Sequence, residues 1–239
     1  MNSIKDKFIQ DFITDGRWHF IVNGLKITLI VTIASLVLGT LIGLVVGIIR
    51  CAYDQQRPTE RTGIKGAVLS VLNFICKLYV TIIRGTPVLV QLLIMYFIIL
   101  VKADSKLFVA IMTFTINSGA YVSEIFRGGI MSIDKGQMEA GRSLGLNYVQ
   151  TMIATIIPQA MKACLPSLVN EAISLLKETS ICGYIGLNEL TRGGDIIRGT
   201  TFDAMLPLFG VAIIYLAMVL IISYCMSLFE RRLRKSDNR

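Results

Sequence analysis

Histidine occurs once in this 239-residue chain, at His19, and tryptophan once, at Trp18. A single histidine leaves no His-based metal cage and no catalytic triad within the chain. The cysteines Cys51, Cys76, Cys164, Cys182 and Cys225 stand singly. They lack the close spacing of a zinc or redox site and read as small buried hydrophobes. No G-x-x-x-x-G-K-[ST] string is present, so the chain is not expected to hydrolyse ATP itself. Charge is scarce too: Asp, Glu, Lys and Arg make up 17% of the residues, too few for an ordinary soluble domain. No catalytic or metal-binding residue and no cofactor of the chain's own is therefore expected.

Apolar residues fill the space, at 54% with a mean hydropathy of +0.65. Ile27–Ile49 and Ala204–Phe229 are charge-free and long enough to cross a hydrocarbon core of about 30 Å. Gly85–Val101 and Leu107–Ser123 are slightly short and need their neighbours. A further span near Met161–Leu187 is interrupted by Lys162, Glu171, Lys177 and Glu178. The pattern predicts an all-α integral membrane protein with five transmembrane helices, forming one transmembrane domain over 1–239.

The net charge of +8 is placed in clusters. Arg50, Arg57, Arg61 and Lys65 form one, Arg127, Lys135 and Arg142 a second, and Arg231, Arg232, Arg234 and Lys235 a third. That placement argues against nucleic acid, and the positive-inside rule puts all three in the cytoplasm. The N-terminus is then outside and the C-terminus inside. Lys102 and Lys106 fall on the outer side, in a loop too short to outweigh the rest. Residues 1–22 carry Asp6, Asp11 and Asp15 before any long apolar run, which makes a poor secretory signal. Phe8, Ile9, Phe12 and Ile13 recur at helical spacing, predicting an amphipathic segment on the outer surface with Trp18 in the interfacial belt.

Helix one carries Ser35, Gly39, Gly43 and Gly47 four residues apart, a stripe that lets another helix approach closely. Gly66–Ile83 is apolar but holds Asn73 and Lys77, and is read as a cytoplasm-side helix. Pro87 disfavours helix at Thr86, predicting a bend before the next crossing. In the third crossing Thr113, Asn117, Tyr121 and Glu124 share one face, with Ser118 beside them. Glu124 stands three residues before Arg127, as an intrahelical ion pair or a substrate contact would place it. The fourth crossing has Ser167, Asn170, Glu171, Ser174, Lys177 and Glu178 on a polar face, and Pro166 to kink it. Polar faces in lipid turn toward a bundle interior or a symmetric partner. Asn117, Ser118, Tyr121, Glu124, Asn170 and Ser174 are the pathway candidates.

Between two apolar stretches lies Asp134-Lys135-Gly136-Gln137-Met138-Glu139-Ala140-Gly141-Arg142-Ser143-Leu144-Gly145. Asp134 can cap a helix, with Gln137 spaced for a capping box, and Gly145 can end it in a left-handed conformation. A helix of about ten residues is unstable alone and needs a surface to rest on. Pro158 follows as a second helix breaker. This segment, 134–158, resembles the coupling segment of ABC-importer permeases, whose consensus is Glu-Ala-Ala, three residues, Gly, nine residues, Ile-x-Leu-Pro. Glu139, Ala140, Gly145 and Pro158 match; Gly141 replaces the second Ala, Thr155 the Ile and Ile157 the Leu. Three more strings resemble the polar amino-acid branch of that family, of histidine, glutamine and arginine type. They are Arg84-Gly85-Thr86-Pro87-Val88-Leu89-Val90-Gln91, the run from Ile116 to Ile130, and Asn170 to Ser180.

The resemblance implies the permease subunit of an importer of polar amino acids, working by alternating access in the prokaryotic cytoplasmic membrane. It implies a second permease chain, a dimer of ABC ATPase subunits that bind ATP and Mg, and an extracytoplasmic solute-binding protein. Glu139, Ala140, Gly141, Gly145 and Pro158 would form the ATPase-coupling element. A secondary transporter or channel without an ATPase is the other class weighed. Five crossings do not divide into inverted repeats, and no duplication is visible.

Overall fold

The computed structural model describes residues 4–55 and 63–237, with side chains described through Leu228. Arg57 and Arg61, and the side chains of Arg231, Arg232, Arg234 and Lys235, lie outside the described residues. Every regular element among the described residues is helical. In order these are α1 (Ile4–Phe8), α2 (Trp18–Gln55), α3 (Gly63–Gly85), α4 (Val88–Ile94), α5 (Lys106–Met131), α6 (Lys135–Ser143), α7 (Tyr148–Thr151), α8 (Ile157–Glu178), α9 (Leu190–Thr201) and α10 (Met205–Asp237). Wider π-helical turns follow α1, α4 and α7, at Ile9–Ile13, Met95–Ile99 and Met152–Ile156.

Four helical segments are long and apolar enough to cross a membrane: Trp18–Gln55, Gly63–Gly85, Tyr148–Ile185 and Met205–Leu228. Gly66–Ile83, expected as a cytoplasm-side helix, lies within Gly63–Gly85, which is long and apolar enough to cross despite Lys65, Lys77, Arg84 and Asn73. The bend expected at Thr86 is present, as a two-residue break before Val88. α5 has the length of a span at 26 residues but is not among the apolar four. Its Thr113, Thr115, Asn117, Ser118 and Ser123 are buried in protein, where hydropathy is no guide.

Chain contacts define two compact units. The first comprises Met1–Leu36, Val88–Phe114 and Ala172–Arg231. Its core joins Val31, Leu92, Ala110, Phe114, Leu175, Cys182 and Ile185. Glu189, buried at the N-cap of α9, accepts from the Thr191 and Arg192 N–H groups and from the Tyr215 hydroxyl. Burial pushes its carboxyl above the usual carboxylate range. Lys7 donates to Asp203 at 3.1 Å, fastening the N-terminal segment beside the start of α10. Phe8, Ile9 and Ile13 of that segment are exposed, Phe12 faces the backbone of Gly210, and Asp11 is buried. Trp18 stacks on His19 with ring centres 3.7 Å apart.

The second unit comprises Val37–Pro87, Thr115–Glu171 and Arg232–Arg239. Here the glycine stripe of α2 meets α5. A methyl at Gly39 would lie 3.0 Å from Ser118 Cβ, one at Gly43 2.6 Å from Val122 Cγ1, and one at Gly47 3.2 Å from Phe126 Cβ. Glycine is what permits this backbone separation. Among the cysteines, Cys51, Cys76, Cys164 and Cys182 are buried and Cys225 is exposed.

Candidate functional site

α6 forms because both of its ends are satisfied. The Asp134 carboxylate accepts from the Gly136 N–H at 2.6 Å. The Gln137 N–H goes to the backbone carbonyl of Asp134, so the reciprocal box expected between these two does not close. At the other end Gly145 has φ +84°, the Gly145 N–H donates to the Arg142 carbonyl, and Leu146 N–H donates to the Gly141 carbonyl. That pair of bonds is a Schellman ending, for which a left-handed Gly is suited.

The surface beneath α6 is an apolar cluster of Cys51, Ile130, Ile156 and Ala160, with Met138, Met152 and Ile133 packed on it. Met138 is the residue α6 contributes. Gly141 is buried against α7, and a methyl there would overlap the side chain of Thr151. The replacement of Ala by Gly at this position therefore brings the two helices closer. A capping box the sequence reading missed starts α7: Asn147 accepts from the Gln150 N–H, and Gln150 Oε1 from the Asn147 N–H, both at 2.9 Å. Its signal, Asn-x-x-Gln after a glycine, was legible.

Pro158 does not break the chain's helix. Residues 148–178 are helical throughout, and Pro158 is the second residue of α8, just after the π turn. The Ile157 N–H reaches back to the Met152 carbonyl, and this wide turn makes room for a ring that lacks a donor. Glu139 and Ala140 are exposed on α6, and Gln159 donates to Gln137 at 3.5 Å.

α6, α7 and the ends of α2 and α5 border an open cleft lined by Asp54, Gln55, Ile130, Asp134, Lys135, Met138, Glu139, Arg142 and Tyr148. Tyr148 donates its hydroxyl proton to Gln55 Oε1. Nearby, Arg50 pairs with Glu124, Arg127 Nη2 holds the other Glu124 oxygen at 3.0 Å, and Arg127 Nη1 reaches Asp54 at 3.4 Å. Both oxygens of Glu124 are thus engaged, one across helices and one within α5.

The remaining pathway candidates of this unit are differently placed. Asn117 is buried, and Ser118 is fully buried with its Oγ lacking a hydrogen-bond partner. Tyr121 is half-buried under the Arg84 guanidinium, 5.1 Å from its ring centre. Tyr79 donates to the Ile116 carbonyl at 2.6 Å. Asn170 on α8 is exposed, as is Ser174, which belongs to the first unit.

An all-helical chain with several apolar spans and a short capped helix standing on a polar connection has the makings of a membrane permease subunit. Residues 66–235 match the family described as binding-protein-dependent transport system inner membrane component. The arginine transport system permease protein ArtQ of Bacillus subtilis is 35% identical over 221 residues, covering 91% of this chain and 94% of that one. The glutamine transport system permease protein GlnP of Escherichia coli K12 is 34% identical over 218 residues, 90% and 93% of the two chains. A crystal structure of an amino acid ABC transporter with histidines superposes with a TM-score of 0.77 at 38% identity, covering 89% of this chain and 94% of that one. The MetNI methionine ABC transporter, inward facing, gives 0.75 at 21% identity, a likeness of fold. The chain belongs to the family of binding-protein-dependent inner membrane transport components.

Proposed function

We propose that this chain is the membrane-spanning subunit of an ATP-driven importer that moves polar amino acids into the cytoplasm by alternating access. The relatives' names support the substrate class, since arginine and glutamine carriers match over nearly the whole chain. Five crossings are α2, α3 continued bent into Val88–Ile99, α5, α8 and α10. The Val88–Ile99 stretch is 12 residues, about 18 Å, too short to cross by itself. The N-terminus is outside and the C-terminus inside, in one transmembrane domain.

The observation that carries the mechanism is α6. It is capped at both ends, rests on its own apolar cluster, and leaves Leu144 83% and Val149 60% exposed. In this reading the surface around Glu139, Ala140, Gly141 and Gly145 docks one subunit of an ABC ATPase dimer that holds ATP and Mg. Pro158 shapes the helix behind it. A second permease chain completes the pathway, to which Asn117, Ser118, Tyr121, Glu124, Asn170 and Ser174 contribute. A solute-binding protein delivers substrate from outside.

Gly145→Val tests the docking surface, because a β-branched residue is strained at φ +84°. The variant is expected in the membrane at normal levels, with ATPase copurification reduced about tenfold or more. Normal copurification with normal uptake would remove α6 from the coupling role.

A further inference from the structure

We propose that the last turn of α2 is the relay of the coupling stroke, with Tyr148 and Gln55 as the positioning pair that clamps it to the α6–α7 element. This rests on α6 being the docking helix. Three observations within the second unit carry it. First, α6 and α7 pack directly: Gly141 lies against Thr151, and the connection between them is short, its Leu146 N–H bonded back to the Gly141 carbonyl. A force on α6 is therefore delivered to α7. Second, the Tyr148 hydroxyl donates to Gln55, and Cys51, one turn earlier on α2, is buried with Ile156 and Ala160. Third, the same stretch of α2 grips α5 by charge, through Arg50 to Glu124 and Asp54 to Arg127. The stretch 50–55 thus has one set of side chains on the α6–α7 body and another on α5. α5 carries Asn117 and Tyr121 on the same helix.

The linkage is what a rigid-body transmission needs: packed contacts, a hydrogen bond and charge-assisted bonds in series. Glu124, with both oxygens engaged, then serves to hold α5 to α2 while the stroke passes.

The test uses the whole complex, this chain with its ATPase in proteoliposomes. The binding protein is added loaded with glutamine or with arginine, whichever it retains. Tyr148→Phe removes only the hydroxyl. Expected are wild-type copurification of the ATPase, unchanged basal hydrolysis, and an about fivefold weaker stimulation of hydrolysis by the loaded binding protein. A purely structural role would lower the melting temperature and leave the stimulation ratio alone. Unchanged stimulation overturns the relay while the docking of α6 stands. Loss of copurification in Tyr148→Phe also overturns it, by placing Tyr148 in the docking surface. In a second variant, Gln55→Cys with Tyr148→Cys, a short bis-thiosulfonate bridges the pair, whose long side chains meet tip to tip beyond disulfide reach. Unbridged, this variant lacks the clamp and is expected to show the weakened stimulation; bridging is expected to restore it to within about twofold of wild type. A reversible tenfold loss on bridging shows that the joint opens, and overturns the proposal.

Discussion

At the scale of single residues, the contact between Gly141 and Thr151 sets how closely α6 packs on α7. Gly141→Ala places a methyl into the Thr151 side chain and is expected to cost about 1–3 kcal/mol, the usual range for overpacking. Thr151→Ala opens that space and gives up a 3.0 Å bond to the Asn147 carbonyl. The double variant should recover stability lost by Gly141→Ala alone. Thermal melting of the purified complex, read as a double-mutant cycle, checks this; additive effects would separate the two residues. Asn117 is the other residue with a sharp expectation. Its amide is buried in α5, and Asn117→Leu should lower uptake several-fold while ATPase copurification stays at wild type. Equal loss of both would make Asn117 a packing residue. The sequence showed that these positions were polar or small. It could not show that Gly141 needs its size because of Thr151, since that contact depends on where α7 turns back.

At the scale of elements, the four-residue stripe on α2 was legible in the sequence, and so was the left-handed stop at Gly145. Both are local rules in which spacing and residue size suffice. What the stripe packs on was not legible, because any helix with small or adaptable side chains would serve. The structure gives α5 in register, Gly39 to Ser118, Gly43 to Val122 and Gly47 to Phe126. Gly43→Leu should therefore prevent the approach of α2 to α5, and the yield of folded complex in detergent should fall several-fold. An unchanged yield would mean the stripe is not in contact. The π turn at Met152–Ile156 was hidden for a different reason. Proline normally signals a break, and only the extra residue in the preceding turn lets Pro158 continue the helix.

At the scale of the whole molecule, hydropathy locates the apolar helices, Gly63–Gly85 among them, but not their depth, because a helix's depth depends on what covers it. The reverse holds for α5, whose polar residues are covered by protein and so escape the rule for lipid-facing helices. The orientation itself is open to a direct measurement. With the native cysteines replaced, a cysteine at Asp104 should react with a membrane-impermeant maleimide on intact cells, and one at Lys135 only after permeabilisation. The opposite pattern would invert the chain in the membrane.

The ion pair between Lys7 and Asp203 joins residues 196 positions apart in sequence. A ribosome adding about 5–20 residues per second needs about 10–40 s to supply the second partner after the first. Throughout that time the N-terminal segment has no Asp203 to hold it, while the long helices after it are already entering the membrane. Its fastening is thus a closing step of biogenesis: a chain truncated before Asp203 lacks this anchor, and the N-terminal segment of a nascent chain should be more open to protease than that of the finished protein.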